Sequence, residues 1–163
     1  MNSTDINSSL HLSITVDVPI EHAFETFTER FDDIKPHDQN LLSVPIERTV
    51  LEARAGGTVY DLGEDGSTCT WARVLACDPP NLLVISWDIT PQWELETDLS
   101  RTSEVEFRFV AESPQRTRVE LEHRHLDRHG NGWERFTTLD KGNGWPLYLD
   151  RFRAAAEGAA SRV

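Results

Sequence analysis

Three histidines near the end of the chain are the residues whose type and spacing come closest to a chemical site. His123, His125 and His129 form the pattern H-x-H-x3-H. An imidazole ionises at a pH of about 6.5, so it can move protons, and its neutral form can bind zinc. His123 follows Val119 and Leu121 in alternation, which predicts an inward-pointing side chain near a strand end. His123 is therefore the candidate catalytic residue; the alternative is a core histidine satisfied by a backbone or hydroxyl partner.

No metal or cofactor is expected from these or other residues. A strand end and a loop do not fix the geometry of three histidine ligands, and no nearby carboxylate is aimed at them. Cys69 and Cys77 lie on one predicted strand, about 26 Å apart at its ordinary rise, which predicts free thiols and excludes a disulfide. The sequence contains no G-x-S-x-G, Gly-rich phosphate loop or H-E-x-x-H motif.

Aromatic residues supply the second candidate site, a pocket for an apolar guest. Such pockets have volumes of roughly 300–1,000 Å³ and mostly apolar walls, with a few polar groups that orient the ligand. Arg73 shares a predicted strand face with Trp71 and is one such polar group. The alternative is that most of the aromatic residues are simply core. The candidate ligand-binding residues are Tyr60, Trp71, Arg73, Trp87, Phe107, Phe109, His123 and Trp145.

Hydrophobic periodicity predicts the elements that must position these residues. Residues 11–18 alternate as a half-buried strand, and Pro19 opens an amphipathic helix that is followed by a short helix before Pro36. A broad apolar stripe predicts a last helix from Trp145 to Ala156. Strands are predicted over residues 46–53, 58–62, 68–77, 82–89, 103–109 and 117–123.

This order of elements predicts an α+β helix-grip fold, a curved antiparallel sheet wrapped around the C-terminal helix. The helix needs an apolar surface, and the inner face of the sheet is the large one available. We predict one domain over residues 11–158, a disordered tail over residues 1–10 and a C-terminal tail over residues 159–163.

Composition excludes two classes of partner. Sixteen Lys and Arg against twenty-eight Asp and Glu give a net charge of −12, which repels nucleic acid and anionic membrane surfaces. No apolar run approaches the ~20 residues that span a bilayer, and residues 1–10 lack the pattern of a signal peptide. We expect a cytoplasmic protein with no nucleic-acid or membrane partner; a homodimer stays open.

Several segments together resemble one known family. They are VDVPIEHAFETFTE, the block GGTVYDLGEDGSTCTWARVLACDPPNLLVISW, SEVEFRF, TRVELEH and GNGWPLYLDRF. In this order they are similar to the SRPBCC (START/Bet v 1-like) superfamily, and within it to bacterial proteins like the C-terminal domain of the Hsp90 ATPase activator. The resemblance covers about Leu12 to Ala156. It implies a hydrophobic cavity between the sheet and the long helix.

One segment departs from the family pattern. Relatives usually carry a Trp pair after the first helix, where this chain has Asp32 to His37, DDIKPH. A charged segment there predicts a wetter or more mobile cavity mouth.

The resemblance leaves three hypotheses for function. The first is a protein that binds an unidentified hydrophobic or amphipathic small molecule. The second is an enzyme resembling polyketide cyclases and hydratases, with His123 as its base. The third is a chaperone-associated module similar to the Hsp90 ATPase activator domain.

Overall fold

The structure is a computed structural model that describes residues 8–161. Within that range, seven strands and three α-helices are joined by short 3₁₀ helices. The strands are β1 (Leu10–Val16), β2 (Ile46–Leu51), β3 (Thr58–Gly63), β4 (Thr68–Asp78), β5 (Leu82–Trp87), β6 (Ser103–Ser113) and β7 (Arg116–Arg124). The α-helices are α1 (Ile20–Glu29), α2 (Phe31–Ile34) and α3 (Trp145–Ser161), and the 3₁₀ helices are Leu99–Arg101, Leu126–His129 and Trp133–Asp140.

All seven strands belong to one antiparallel sheet. The strand order is β1-β7-β6-β5-β4-β3-β2, so the first strand pairs with the last, and each other strand pairs with its neighbour in the chain. Helices α1 and α2 occupy the connection between the two edge strands, β1 and β2. This arrangement confirms the predicted helix-grip fold.

Helices α1 and α2 follow from local sequence. Pro19 is extended, with ψ 154°, and caps α1, while Glu21 lies in the first turn, where its charge complements the helix dipole. Ala23, Phe24 and Phe27 are buried, and the Phe27 ring lies 4.6 Å from that of Phe107 on β6. The short α2 confirms the helix predicted before Pro36.

Helix α3 provides the other wall of the core. Its buried residues include Trp145, Tyr148, Leu149 and Phe152, and the Phe152 ring lies 5.4 Å from that of Phe27. Burial of each such large side chain stabilises the fold by roughly 1.5–3 kcal/mol. The helix also contacts α1, α2 and β1, so the aromatic side chains of all three helices meet the inner face of the sheet.

The ends of the chain differ from the predicted tails. Strand β1 includes Leu10, which is buried, and α3 continues to Ser161, three residues into the predicted C-terminal tail. Residues 8 and 9 precede β1, and residues 1–7 and 162–163 of the predicted tails lie outside the described residues. Both cysteines, on β4, are free as predicted. Among the described helices, none has the length and apolarity that a bilayer crossing needs.

Candidate functional site

An aromatic cluster lies between the sheet and α3, and it contains most of the aromatic residues predicted from sequence. The Trp71 and Trp87 rings are 5.8 Å apart, and Trp87 lies 5.5 Å from Trp145. Phe107 contacts Trp145 at 5.9 Å, while Phe109 belongs to the far end of the cluster, next to Phe24. T-shaped and tilted ring pairs of this kind are favourable beyond their buried area. The cluster closes the interior with the chain's own side chains.

A small inner cavity remains at one side of this cluster. Its volume is about 20 Å³, room for about one water molecule and far below the roughly 300–1,000 Å³ of a typical ligand pocket. Protein side chains therefore fill most of this site. The cavity is lined by Lys35, Gln39, Leu41, Asp61, Trp71, Trp87, Ile89, Trp93 and Tyr148.

The cavity wall contains a buried ion pair that the sequence analysis missed. Lys35 Nζ lies 2.8 Å from Asp61 Oδ2, and the two side chains are 5% and 2% exposed. Asp61 Oδ1 also accepts hydrogen bonds from Thr49 Oγ1, at 2.7 Å, and from Trp71 Nε1, at 3.2 Å. Lys35 Nζ donates to the Gln39 carbonyl and lies 5.5 Å from the Trp71 ring centroid. The pair is stable in this apolar setting because these contacts satisfy both charged groups.

The position of Lys35 corrects the expectation for the segment that replaces the Trp pair. Ile34, Lys35 and Pro36 are buried, so this part of the segment does not form a wet mouth. Asp32 holds the segment against β2, since its Oδ1 accepts from Thr49 N at 2.7 Å and lies 2.8 Å from His37 Nε2. The sequence did contain a signal for Asp61, which alternates with the buried Val59 on β3.

Tyr148 adds a hydroxyl group to the same wall. Its Oη donates to Gln39 Oε1 at 2.8 Å. Burial, reinforced by the negative charge of Asp61, raises the pKa of Tyr148 well above its ordinary value. The phenol therefore stays neutral, and it is a hydrogen-bond donor rather than a base.

His123 is buried, as the alternation predicted, and lies in a hydrogen-bonded chain. Trp145 Nε1 donates to His123 Nδ1 at 3.1 Å, so the proton of the neutral ring is on Nε2 and is donated to Ser103 Oγ at 2.8 Å. Ser103 Oγ in turn donates to His129 Nε2 at 2.7 Å. Both nitrogens of His123 are thus bonded to protein groups, which is the satisfied core histidine of the alternative interpretation.

Burial keeps both His123 and His129 neutral. It lowers the pKa of His123 to about 3, with a smaller contribution from the nearby His129. It lowers the pKa of His129 to about 4, opposed by the charges of Glu96 and Asp88. A protonated His123 would also direct an N–H at the Trp145 N–H, because Nδ1 would then be a donor.

Two predicted site residues lie outside the cluster. A bulge interrupts the pairing of β3 with β4: Tyr60 pairs with Thr70, and Val59 pairs with Ala72. Trp71 is therefore an extra residue on β4, and beyond it the inward and outward positions of the side chains are exchanged. Arg73 therefore does not share the face of Trp71, and its Nε and Nη2 donate to the Asp88 carboxylate, at 3.0 Å each. Tyr60 lies between the buried Val59 and Asp61 and so points to the opposite face.

The H-x-H-x3-H pattern does not assemble three ligands around one point. His123 and His129 share Ser103, while His125 has a positive φ of 64° at the start of a 3₁₀ helix. Residues 8–161 contain no group of three His, Cys, Asp or Glu side chains that could hold a metal ion.

The chain matches one protein family over residues 17–157, and that family is described as Activator of Hsp90 ATPase homolog 1-like protein. Among solved structures, it is similar to an anthrahydroquino-gamma-pyrone synthase, Txn09, complexed with SUM. The two are 36% identical, with a TM-score of 0.64, over 92% of this chain and 97% of that chain. Comparison with curated proteins gives no match.

Two further solved structures have the same fold. CalC from Micromonospora echinospora, a self-sacrificing resistance protein, is 28% identical over 94% of this chain and 96% of its own, with a TM-score of 0.64. Protein NE0264 from Nitrosomonas europaea is 13% identical over 94% of this chain and 96% of its own, with a TM-score of 0.64. At this identity the similarity shows the fold alone. The helix-grip fold is consistent with ligand binding. Because the family match covers most of the sequence, the chain belongs to the Activator of Hsp90 ATPase homolog 1-like protein family.

Proposed function

We propose that this protein binds a flat, polycyclic aromatic compound that carries carbonyl groups. The observation that carries the proposal is the convergence of Trp71, Trp87 and Trp93 on a cavity that also contains the Lys35–Asp61 pair. Indole rings pack against flat apolar rings, and a buried ammonium group donates hydrogen bonds to carbonyl oxygens. The similarity to an anthrahydroquino-gamma-pyrone synthase along almost the whole chain supports this choice of chemical class.

Ring closure of such a compound is the second candidate function, and the same similarity favours it. In the formation of a γ-pyrone, a phenol oxygen adds to the carbonyl carbon of a neighbouring 1,3-dicarbonyl side chain, and one water molecule then leaves. Lys35 is the one cation among the cavity-lining residues. Its ammonium group is suited to stabilise the carbonyl oxygen as that oxygen gains negative charge, with Asp61 holding Lys35 in place.

His123 has a different role in this proposal from the one predicted from sequence. As a base it would need a free ring nitrogen, and both nitrogens are bonded, to Trp145 and Ser103. We therefore assign the polar contact with the ligand to Lys35 and a structural role to His123.

Binding is tested with anthraquinone-2-sulfonate, followed by quenching of tryptophan fluorescence and by the rise in Tm. We expect saturable binding at one site per chain. The double variant Lys35→Met/Asp61→Asn removes both charges, and an asparagine still accepts from Thr49 and Trp71, so the fold is kept. Loss of a charged hydrogen bond should weaken binding by about tenfold or more.

Arg54→Met is the matched control, because Arg54 is an exposed cation in the turn after β2. It should bind as the unaltered protein does. Absence of saturable binding in the unaltered protein contradicts the proposed function. Equal affinity of the double variant and the control contradicts the role of Lys35. Turnover is measured separately, as loss of water from a phenol with an adjacent 1,3-diketone side chain, by mass spectrometry.

A further inference from the structure

Two residues line both the closed inner cavity and an open groove outside it. The groove has a volume of about 290 Å³ and is lined by Gln39, Trp93, Thr138, Leu139, Lys141, Asn143 and Gly144. Gln39 and Trp93 also line the inner cavity. The two spaces therefore adjoin at these two side chains, and the groove alone comes near the lower limit of about 300 Å³ for ligand pockets.

Gln39 connects the two sides of this partition. Its Nε2 donates to the Asn143 carbonyl at 2.8 Å, on the groove side. Its Oε1 accepts from Tyr148 Oη at 2.8 Å, on the cavity side. Two neutral hydrogen bonds of this kind hold Gln39 in place, and each is weak enough to exchange for a contact with a ligand.

Trp93 forms the apolar half of the partition and is held less firmly. Trp93 is 45% exposed, and its ring forms T-shaped pairs with those of Trp87 and Phe136, with centroids 6.3 Å apart in each pair. Its φ is +61°, a left-handed conformation that is unfavourable for a large side chain. The tight turn that contains Trp93 is closed by the bridge between Ile89 and Leu95 and by backbone hydrogen bonds from Thr90 N to the Glu94 carbonyl and from Trp93 N to the Thr90 carbonyl. Rotation of the exposed indole about its side-chain bonds would therefore open the gate with this turn and the sheet in place.

Trp87 provides the polar group that indicates what kind of ligand the inner cavity takes. It is 2% exposed and lines the inner cavity, and within residues 8–161 its Nε1 has no hydrogen-bond partner. A buried N–H without an acceptor is unfavourable, and a ligand oxygen would supply the missing acceptor. The occupant should therefore be flat, to replace the Trp93 indole against Trp87 and Phe136, and should carry a carbonyl oxygen.

We infer that the inner cavity and the outer groove are one binding channel for a flat polycyclic carbonyl compound, gated by Trp93 and Gln39, in which Trp87 Nε1 donates to the ligand carbonyl. The inference rests on the proposed function, and it adds the entry route, the gate and the hydrogen-bond donor. The joined channel fits fused ring systems better than a single ring, because the groove and the cavity adjoin at the gate residues.

The gate is tested first without a ligand, by the exchange of indole N–H protons with water, measured by NMR. In Trp93→Ala, exchange at Trp87 Nε1 should accelerate by about tenfold or more, because local opening then controls it. Exchange at Trp145 Nε1, which is bonded to His123, should not change. Leu99→Ala is the control variant, since Leu99 is another exposed apolar residue on the connection between β5 and β6.

Three results would overturn the gate. They are unchanged exchange at Trp87 in Trp93→Ala, equal acceleration at Trp145, and equal acceleration at Trp87 in Leu99→Ala.

The hydrogen-bond donor is tested with a pair of probes that differ in their carbonyl groups. Anthraquinone-2-sulfonate should bind the unaltered protein about tenfold more tightly than anthracene-2-sulfonate. In Trp87→Phe this preference should fall well below that of the unaltered protein, to the part that Lys35 supplies, while anthracene-2-sulfonate still binds. A preference that is unchanged in Trp87→Phe overturns the assignment of Trp87. If neither probe binds any variant, the proposed function fails, whereas the exchange experiment decides the gate independently.

Discussion

The Lys35–Asp61 pair is the residue-scale feature that separates this interior from an ordinary apolar core. Asp61 accepts from Lys35, Thr49 and Trp71, and Lys35 reaches the Gln39 carbonyl as well. Buried ion pairs are rarely justified by stability, because desolvation offsets most of their attraction. Among the described residues, Lys35 Nζ donates to Asp61 and to the Gln39 carbonyl, which uses two of its three hydrogens. The third hydrogen is what the proposed contact with a ligand carbonyl would use.

His123 and His129 predict a pH dependence of stability at the residue scale. Their pKa values fall from 6.5 to about 3 and about 4 in the folded protein. The unfolded chain therefore binds more protons below pH 6.5, and the free energy of unfolding falls as the pH drops from that value toward the folded pKa values. The slope approaches about 1.4 kcal/mol per pH unit for each histidine. Urea unfolding at a series of pH values from about 7.5 to 4.5 measures it.

Variants distinguish the contribution of the two histidines to this pH dependence of stability from the contribution of carboxylates. Glutamine can accept from Trp145 and donate to Ser103 without ionising, so His123→Gln should reduce the slope. His11→Gln, at an exposed position on β1, should not. Stability that is flat between pH 7.5 and 4.5 in the unaltered protein would contradict the buried, neutral state of the two histidines.

At the scale of elements, the alternation of apolar and polar residues predicted the strands well. It predicted the wrong side-chain direction where a bulge interrupts a strand. Strands β6 and β7 pair residue by residue, Val105 with His123 and Phe107 with Leu121, and the inward position of His123 was predicted correctly. On β4 the extra residue Trp71 shifts the alternation, so Arg73 was placed on the wrong face. A bulge depends on the pairing of two strands, and no local pattern in β4 reports it.

The candidate site was only partly predictable for a related reason. Aromatic residues on strands and on α3 are apolar, and their burial follows from periodicity alone. Lys35 belongs to a charged segment, and only its tertiary contact with Asp61 makes burial possible. Gln39 and Trp93 lie in connections, whose positions depend on the elements around them.

The start of α3 gives a prediction at the element scale. A Cβ added at Gly144 would lie 2.2 Å from the Leu139 carbonyl oxygen, where the preceding 3₁₀ helix returns against α3. Gly144→Ala should displace the first turn of α3, which carries Trp145 and Tyr148, and lower the free energy of unfolding by roughly 1–3 kcal/mol. Urea unfolding followed by tryptophan fluorescence measures the change.

Gly158→Ala is the matched control in the same helix. Within the described part of the chain, no atom lies within 4 Å of a Cβ added there, so alanine should be neutral or stabilise by up to about 1 kcal/mol through helix propensity. Equal stability of the two variants would show that the junction of the 3₁₀ helix and α3 is not tightly packed.

At the scale of the whole molecule, the protein's own side chains fill almost all of the interior. The aromatic cluster leaves about 20 Å³ of inner cavity, so a ligand must displace side chains before it can be buried. Part of the binding free energy is then used for opening, which lowers the apparent affinity. A filled interior of this kind agrees with the proposed preference for large flat ligands, because the area they bury would offset the opening.

Net charge gives the prediction that belongs to the whole molecule. With a net charge of −12, acidic residues repel one another in the compact state, and salt screens this repulsion. Salt also weakens surface ion pairs such as those of Arg124 with Glu104 and Glu106, but each contributes only about 0–1 kcal/mol. The urea midpoint should therefore rise between about 0.02 M and 0.5 M NaCl, as the screening length shortens.

Charge variants test the cause of this salt effect. Glu29→Lys/Glu47→Lys changes two exposed residues and moves the net charge from −12 to −8, so the rise in the urea midpoint should become smaller. Glu29→Asp/Glu47→Asp keeps the charge and should retain the full rise. If the midpoint falls with salt in the unaltered protein, local ion pairs outweigh the net repulsion, and the outer face of the sheet contributes more to stability than its exposed pairs indicate.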